Sequence, residues 1–457
     1  MGFVGMLAKG VGAGLVVVIA GAAGYLYMSP PELLRVGAGY AAKIGCSNVF
    51  IAGRDLDVVV SDDVQAPGNP ILKLVTAKVD KERARVAVDF LGFIAPRYAV
   101  YRPGFGCTVL DGGPDEAANL PTLPKLDAIA ANDPALEWPD GEAAEKSKNA
   151  AVSELLGDPA LTGPGMRAVV VVQHGRIIAE TYGAGFGPET PLIGWSMTKT
   201  VNGVLAGLAE KRGALRFEDQ NLFAIWKGDG RGDISLGSLA AMQSGLRFNE
   251  DYGDVSDVTR MLYLEPDMAG YVTGMPLDNP PDTNFNYSTG TAVAISRYWQ
   301  DKIGEGALSF PHDALFAPLG LSSAVLETDT KGTFVGGSYL YADAHDWARL
   351  GQFLLQDGVW NGERLLSEDF MRRLYTPTQV SDGDYTQVQA WYKGPDSKRN
   401  DLFGLPAETL WMKGHDGQST AIVPSADLVV LRMGLTPSRL HYQPQRLLKR
   451  ILDTLEN

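Results

Sequence analysis

Two groups of strand-forming residues, far apart in the sequence, constrain the fold of this chain more than any other feature. Residues 167–182 are rich in β-branched side chains and are interrupted by His-Gly at 174–175, which predicts a two-stranded hairpin. Residues 410–433 predict further strands, and helical periodicity dominates the segment between the two groups. We therefore expect an α/β (α+β) fold in which both ends of residues 166–457 share one antiparallel sheet, flanked by helices and a helical lobe.

The remaining residues indicate a chain of several regions. Its 457 residues exceed one ordinary domain, and 45% hydrophobic with 21% charged residues is a normal globular balance. Residues 32–125 carry partly alternating apolar runs and predict a small strand-rich domain, whereas the proline- and alanine-rich residues 126–165 predict an irregular linker. The predicted order is a membrane anchor or signal segment (1–31), the strand-rich domain (32–125), the linker (126–165) and the main domain (166–457).

The N-terminal segment carries an apolar run that follows Lys9. Residues 10–31 contain no charge, and the apolar part ends near Met28. A run of about 18 to 20 residues is just long enough to span a bilayer and is long for the apolar core of a signal peptide. We expect an uncleaved inner-membrane anchor with the main domain in the periplasm. The alternative is a secreted protein whose signal segment is removed.

Charge and composition restrict the partners of the chain. A formal charge of −14 and a pI of about 4.9 disfavour binding to nucleic acid. Two cysteines are too few for a cysteine-based metal site, and the five histidines are scattered, so we expect no metal and no cofactor. In an oxidising compartment Cys46 and Cys107 could form a disulfide; otherwise they are two buried thiols.

The candidate chemistry centres on Ser196 and Lys199, the only Ser-x-x-Lys pair in the chain. Apolar residues at helical spacing follow the pair, so a helix is expected to begin near Ser196 and to place both side chains on one face. A serine hydroxyl needs a base within hydrogen-bond reach, and a buried lysine can have its pKa lowered enough to serve. Taken alone, the pair could equally be a helix cap followed by an exposed lysine.

Two further segments carry polar groups suited to the same site. Tyr287, followed by Ser288 and Thr289, lies in a loop before a predicted helix and can direct its phenol into a cleft. The segment 413–418 (Lys-Gly-His-Asp-Gly-Gln) lies on a late strand, where small residues allow a substrate to approach backbone N–H groups. Each segment alone could be an ordinary half-buried tyrosine or a plain hairpin turn.

In this order the three segments resemble the serine β-lactamase and penicillin-binding-protein superfamily, in which Ser-x-x-Lys is followed by a tyrosine (or serine) loop and by a Lys-Thr-Gly or His-x-Gly strand. The resemblance covers roughly residues 166–457 and is closest to the class C-like branch, which includes 6-aminohexanoate-dimer hydrolases and family VIII-type esterases. It implies a serine hydrolase acting on a small-molecule amide or ester. The implied roles are nucleophile (Ser196), base (Lys199), proton shuttle (Tyr287), oxyanion hole (the N–H groups of Ser196 and Gln418) and substrate contacts (Trp195, His415 and Gly417).

Two departures from the family pattern bear on substrate. His415 stands where the family has the lysine of Lys-Thr-Gly, and Thr289 stands where class C β-lactamases have asparagine. Both disfavour β-lactam hydrolysis as the main activity. The alternatives that remain are a D-amino-acid peptidase or β-lactamase, and a catalytically inactive, envelope-anchored binding module. The sequence leaves the oligomeric state open.

Overall fold

The computed structural model describes residue 21 and residues 24–110, 112–144 and 148–456. The helices are α1 (Glu32–Phe50), α2 (Leu56–Val59), α3 (Ala150–Leu156), α4 (Pro159–Thr162), α5 (Met197–Lys211), α6 (Leu236–Ala240), α7 (Asp257–Tyr263), α8 (Met268–Thr273), α9 (Thr289–Ile303), α10 (Ala317–Leu319), α11 (Ala344–Leu355), α12 (Glu368–Leu374) and α13 (Pro444–Leu455). The strands are β1 (Val75–Asp80), β2 (Arg85–Phe90), β3 (Ile94–Arg102), β4 (Gly106–Leu110), β5 (Asp133–Glu137), β6 (Gly141–Ala143), β7 (Met166–Gln173), β8 (Arg176–Tyr182), β9 (Leu192–Ile193), β10 (Val325–Leu326), β11 (Leu340–Ala342), β12 (Val359–Trp360), β13 (Glu363–Arg364), β14 (Leu410–Gly414), β15 (Gln418–Val423) and β16 (Leu428–Gly434).

These elements form two units. The first contains the described residues up to Tyr101 together with Cys107–Asn119 and Asp251–Glu265. The second contains Arg102–Gly106, Leu120–Glu250 and the described part of Pro266–Asn457. The first unit therefore receives a helix, α7, from the middle of the sequence of the main domain.

The first unit packs α1 against a sheet with strand order β1-β2-β3-β4. The strands of this unit begin at Val75 and are preceded by the 19-residue helix α1, which was not predicted. Its small residues allow close packing: a Cβ on Gly39 would lie 2.7 Å from the carbonyl oxygen of Tyr263 in α7. Such residues carry no large apolar side chain, so the helical period is weak in the sequence.

A disulfide joins Cys46 of α1 to Cys107 of β4, which closes a loop across 61 positions of the sequence. The predicted membrane segment falls largely on residues 1–20, 22 and 23, which lie outside the described residues. Among the residues that the structure describes, no helix combines the length and the apolar character needed to cross a bilayer.

The second unit is built on a five-stranded antiparallel sheet with the order β14-β15-β16-β7-β8. The early hairpin therefore pairs with the late strands, which confirms the predicted sheet shared by both ends of the domain. Valines of β7 and β16 are fully or almost fully buried and form a core with α3 and α13. This rigid sheet presents β14 and its turn to the start of α5, where Ser196 lies.

The segment 126–165, expected as an irregular linker, contains regular structure. Strands β5 and β6 pair in parallel, and α3 packs against β8 and α13. Asn149 and Asp158 cap α3 and α4 by accepting hydrogen bonds from backbone N–H groups. These elements are short, and tertiary packing rather than local periodicity stabilises them.

Candidate active site

Ser196 lies on a tight turn between β9 and α5. The preceding residue, Trp195, has a φ of 47°, which is rare for a bulky side chain and indicates a strained backbone at this point. Gly194 is required for space, since a Cβ there would lie 2.2 Å from the indole ring of Trp347. Helix α5 begins at Met197, so the Ser196 hydroxyl is held at the positive end of a 15-residue helix.

Lys199 faces Ser196 from the first turn of α5. Its amino group lies 2.9 Å from Ser196 Oγ, 2.8 Å from Thr289 Oγ1 and 2.9 Å from the carbonyl oxygen of Gly337. The side chain is only 1% exposed. Burial lowers the pKa of Lys199 to about 8, and the nearby carboxylate of Glu250 acts in the opposite direction.

Glu250 was not singled out from the sequence, yet it completes the surroundings of the lysine. Its carboxylate accepts a hydrogen bond of 2.7 Å from the backbone N–H of Thr289 and another from the Thr289 hydroxyl. The threonine hydroxyl donates to Glu250 through its hydrogen and accepts from Lys199 through its oxygen. No local motif marks this glutamate, because its partner lies 39 residues away.

Tyr287 lies against the same lysine, in the loop that leads into α9. Its ring centroid is 4.7 Å from Lys199 Nζ, and the next residue, Ser288, caps α9. Burial and the charge of Glu250 raise the pKa of Tyr287 well above its ordinary value, while hydrogen bonding to Ser196 and Trp391 acts in the opposite direction. The phenol is therefore neutral at physiological pH and able to donate a proton.

The structure thus brings together Ser196, Lys199 and Tyr287, which the sequence had singled out from separate segments. Hydrogen-bond counting assigns their roles. A neutral lysine amine has two N–H donors and one lone pair. Thr289 Oγ1 and the Gly337 carbonyl oxygen take the two donors, which leaves the lone pair directed at Ser196. The arrangement suits a base that removes the serine proton.

His415 packs against Trp195, the residue that precedes Ser196. Their ring centroids are 5.8 Å apart in an edge-on arrangement. The side chain of His415 is 42% exposed, whereas Trp195 is buried. The imidazole also lies 3.4 Å from a carboxylate oxygen of Asp416. The pair therefore combines a buried aromatic ring with a partly exposed polar ring, next in sequence to Ser196.

Gln418 and Gly417 support the turn after β14. The Gln418 side chain is buried and exchanges hydrogen bonds with the backbone of Gly434, and it also donates to the carbonyl oxygen of His415 at 3.1 Å. Gly417 has a φ of 84°, and its carbonyl oxygen accepts from Arg432 at 3.0 Å. The Gln418 side chain thus stabilises the turn through these hydrogen bonds. Only the backbone N–H of Gln418 is left for the predicted oxyanion hole.

The end of β14 lies very close to the turn that carries Ser196. A Cβ on Gly414 would lie only 2.2 Å from the carbonyl oxygen of Gly194, so glycine alone fits this approach. The close contact positions the 415–418 turn against the Ser196 turn. The predicted oxyanion hole requires that these two turns lie together, because it takes one backbone N–H group from each.

An aromatic residue and a lysine, Trp391 and Lys413, lie next to Tyr287. Trp391 packs against Tyr287 with ring centroids 5.1 Å apart, and Lys413 Nζ lies 3.6 Å from the centre of the Trp391 ring. Burial, together with the nearby charge of Lys393, lowers the pKa of Lys413 to about 7. Lys413 therefore packs on Trp391, which in turn packs on Tyr287, and its role is to support Tyr287 rather than to contact Ser196.

Comparison with known proteins agrees with this geometry. Residues 159–439 match the protein-family model described as Beta-lactamase. The 6-aminohexanoate-dimer hydrolase of Paenarthrobacter ureafaciens is 21% identical over 301 residues, which cover 59% of this chain and 72% of that protein.

Two solved structures share the fold. A Bacillus anthracis protein named as a 6-aminohexanoate-dimer hydrolase has a TM-score of 0.55 and 19% identity, and the match covers 66% of this chain and 81% of that chain. A penicillin-binding-protein homologue from Caulobacter crescentus has a TM-score of 0.52 and 16% identity, covering 67% and 97% of the two chains.

Proposed function

This chain belongs to the beta-lactamase family, and from that premise we propose that it cleaves an amide or ester bond through an acyl-enzyme formed on Ser196. The observation that carries the proposal is the surroundings of Lys199. Its amine lies 2.9 Å from Ser196 Oγ, is buried, and has its two remaining hydrogen-bonding directions occupied by Thr289 and Gly337.

In the first step, the neutral amine of Lys199 accepts the proton of the Ser196 hydroxyl while the oxygen attacks the substrate carbonyl carbon. The resulting oxyanion is held by the backbone N–H groups of Ser196 and Gln418, and the start of α5 adds favourable charge. Lys199 then carries the proton as an ammonium. Its pKa near 8 is suited to this exchange at neutral pH.

In the second step, the tetrahedral intermediate collapses and the carbonyl–heteroatom bond breaks. The leaving amine or alcohol takes a proton from Tyr287, and Lys199 returns its proton to the phenol. Ser196 now bears the acyl group. The raised pKa of Tyr287 keeps the phenol protonated until the leaving group needs the proton.

In the third step, water attacks the ester carbonyl of the acyl-enzyme. Lys199 and Tyr287 together remove one proton from the water, the bond from the carbonyl carbon to Ser196 Oγ breaks, and the proton returns to that oxygen. The product is a carboxylic acid. The proton delivered to the leaving group comes from Ser196, and the proton that restores the Ser196 hydroxyl comes from the water, so the three side chains end the cycle as they began it.

The substrate class we favour is a linear amide of the aminohexanoate type or a short ester. Support comes from the 6-aminohexanoate-dimer hydrolase relative and from the surface formed by Trp195 and His415 beside Ser196. The family lysine that would fix a carboxylate is replaced by a half-exposed histidine. β-Lactams and D-amino-acid peptides are therefore weaker candidates.

We also propose that the chain is anchored in the inner membrane by residues 1–31, with its hydrolase in the periplasm. The uncharged run of residues 10–31 supports the anchor. The disulfide between Cys46 and Cys107 supports an oxidising compartment, since such bonds are rare in the cytosol.

Intact-mass spectrometry after reaction with a fluorophosphonate probe tests the hydrolase proposal. We expect one adduct on the wild-type chain, none on Ser196→Ala, and a rate lowered by roughly 10²- to 10⁴-fold in Lys199→Ala. Lys199→Arg should be equally slow, because arginine keeps the charge but cannot lose its proton. Ser153→Ala, which removes an exposed hydroxyl of α3, is the control and should react normally.

The outcomes separate the candidate functions. A single adduct that disappears with Ser196 would justify a screen of aminohexanoate-type amides, short esters, D-amino-acid peptides and β-lactams. Absence of any adduct on folded wild-type protein would contradict the proposal and would favour an inactive binding module.

A further inference from the structure

The sheet of the first unit has two chemically opposite ends. The turn between β1 and β2 exposes the charged residues Lys81, Glu82 and Arg83. The turn between β2 and β3 instead exposes apolar side chains, with Leu91 57% and Phe93 43% exposed. Exposed apolar side chains grouped at one point of a domain indicate a contact surface rather than a random feature of the exterior.

A third apolar side chain adjoins this turn. The backbone N–H of Leu91 donates a 3.1 Å hydrogen bond to the carbonyl oxygen of Leu74, whose side chain is 48% exposed. Leu91 and Gly92 both have positive φ, of 55° and 87°, so the turn is a tight tip and not an extended loop. We call Leu74, Leu91 and Phe93 the apolar tip.

The contacts between helix α1 and strand β2 establish at which end of the first unit the apolar tip lies. A Cβ on Gly45 would lie 3.5 Å from the Val86 side chain, and a Cβ on Gly37 would lie 3.2 Å from the Phe90 ring. The eight residue steps from Gly37 to Gly45 along the helix span about 12 Å, and the four from Phe90 back to Val86 along the strand span about 13 Å. Helix α1 and strand β2 therefore run antiparallel in register. The apolar tip, which follows Phe90, therefore lies at the end of the unit where α1 begins.

The chain reaches that end from the uncharged N-terminal run. Residues 24–31 carry no charge, and Tyr25, Tyr27 and Met28 are 67%, 61% and 85% exposed. The first charged residue after this run, Glu32, is paired with Arg260 of the same unit at 2.7 Å. Segments 24–31, 70–75 and 90–95 together carry a single charge, on Lys73, in a chain with a net charge of −14.

From this polarity we propose that the apolar tip inserts into the interfacial layer of the membrane beside the N-terminal segment. The proposal rests on the membrane anchoring proposed above. Amphipathic insertion of this kind reaches about 5–10 Å into the boundary between headgroups and acyl chains. A lipid surface suits the tip because it accepts apolar side chains and tyrosine rings and tolerates one lysine. The anchored unit would then be oriented on the membrane and not merely tethered to it.

The test uses the full chain reconstituted in phosphatidylcholine vesicles. Phe93→Cys is labelled with bimane, which reacts only at this site because both native cysteines are in the disulfide. Val58→Cys is the matched control: Val58 is 48% exposed in the same unit, and its neighbour Leu56 packs against Gly45 near the opposite end of α1. Leu74→Cys provides a second position in the apolar tip should the Phe93 variant fold poorly.

Replacing part of the lipid by brominated phosphatidylcholine is expected to reduce fluorescence about two-fold at positions 93 and 74, given a burial of a few ångströms, and to leave position 58 unchanged. Equal fluorescence at positions 93 and 58 would overturn the proposal, as would a chain that does not remain with the vesicles. Crosslinking between copies through position 93, without quenching, would also overturn it and assign the apolar tip to self-association.

The fluorophosphonate reaction of Ser196 is expected to be unchanged in all three variants. A chain that acylates but shows no quenching would contradict the membrane contact alone. A chain that shows quenching but no acylation would contradict the hydrolase alone.

Discussion

The second unit contains two buried clusters of charge whose pKa shifts run in opposite directions. The amine of Lys199 is surrounded by the hydroxyls of Ser196 and Thr289 and by a backbone carbonyl oxygen. Burial lowers its pKa to about 8. His345 lies between Glu142 and Glu180, at 2.5 and 2.8 Å. Burial opposes its charge, but the two hydrogen-bonded carboxylates prevail and raise its pKa to about 9.

The difference shows that burial alone does not make a catalytic base. Near Lys199, Glu250 accepts a hydrogen bond from the Thr289 hydroxyl, and burial outweighs its charge, so the amine is able to become neutral. At His345 both ring nitrogens contact carboxylates directly, so the ring stays protonated and has no lone pair to offer. The first cluster can transfer a proton, whereas the second holds β6, β8 and α11 together.

The largest effect is expected from Tyr287→Phe. Removing the phenol should slow turnover of an amide substrate by roughly 10²- to 10⁴-fold, because the leaving amine loses its proton donor. An activated ester, whose leaving group needs no proton, should be affected less. The measurement is kcat for a matched amide and ester pair. Tyr385→Phe is the control, since its buried hydroxyl neighbours Tyr287 but does not contact Ser196; an equal loss in both variants would contradict the assigned role.

His345→Gln should leave kcat intact but lower the free energy of unfolding by about 3–5 kcal/mol, as expected when one partner of a buried ion pair is removed. Chemical denaturation measures the loss. A fall in kcat with unchanged stability would reverse the distinction between the two clusters.

The difference in unfolding free energy between wild type and His345→Gln should depend on pH. The pKa of His345 is raised in the folded state to about 9 from an ordinary value of 6.5, so its contribution to stability is full below pH 6.5 and is lost as the pH rises through 9. The difference in stability between wild type and His345→Gln should therefore shrink across that interval. A constant difference from pH 6 to pH 9.5 would show that the ring is neutral in the folded protein.

A smaller effect is expected from Glu250→Gln. Wild-type acylation by the fluorophosphonate should rise with pH through about 8 as Lys199 loses its proton. Glu250 raises the pKa of Lys199, so its neutral replacement should move this rise to lower pH and make the variant relatively faster on the acid side. Glu154→Gln, an exposed change on α3, should not move the profile. A shift to higher pH would contradict the arrangement.

The smallest effect is expected from His415→Lys. The change restores the cation that the family carries at this position, and we expect a gain of less than about ten-fold in kcat/KM for substrates with a carboxylate, because a half-exposed charge is screened by solvent. Esters without a carboxylate should show no gain. Comparing one ester with and without a distal carboxylate measures this, and equal changes for both would rule out a role of residue 415 in recognising charge.

Much of the main domain could be predicted because its signals are local. The hairpin over residues 167–182 follows from β-branched residues around a two-residue turn, and the start of α5 follows from apolar spacing after Ser196. Helix α1 could not be predicted in the same way, because its small residues give no clear apolar period. Its glycines and alanines permit close packing, as against Tyr263 and Leu72. Its helical form depends on neighbours that are distant in the sequence.

The sequence by itself determined the candidate reacting groups: Ser196 and Lys199 at a spacing of one helical turn, Tyr287 before a helix, and a glycine-rich strand end at residues 414–417. Residue type and short spacing are enough for this, since they decide which groups can share one face of a helix. Only the tertiary structure decided that Glu250 orients Thr289, that Trp391 supports Tyr287, and that the Gln418 side chain fastens a turn. Those roles depend on burial and on contacts between segments far apart in the chain, which set the pKa of each group and the direction of each hydrogen bond.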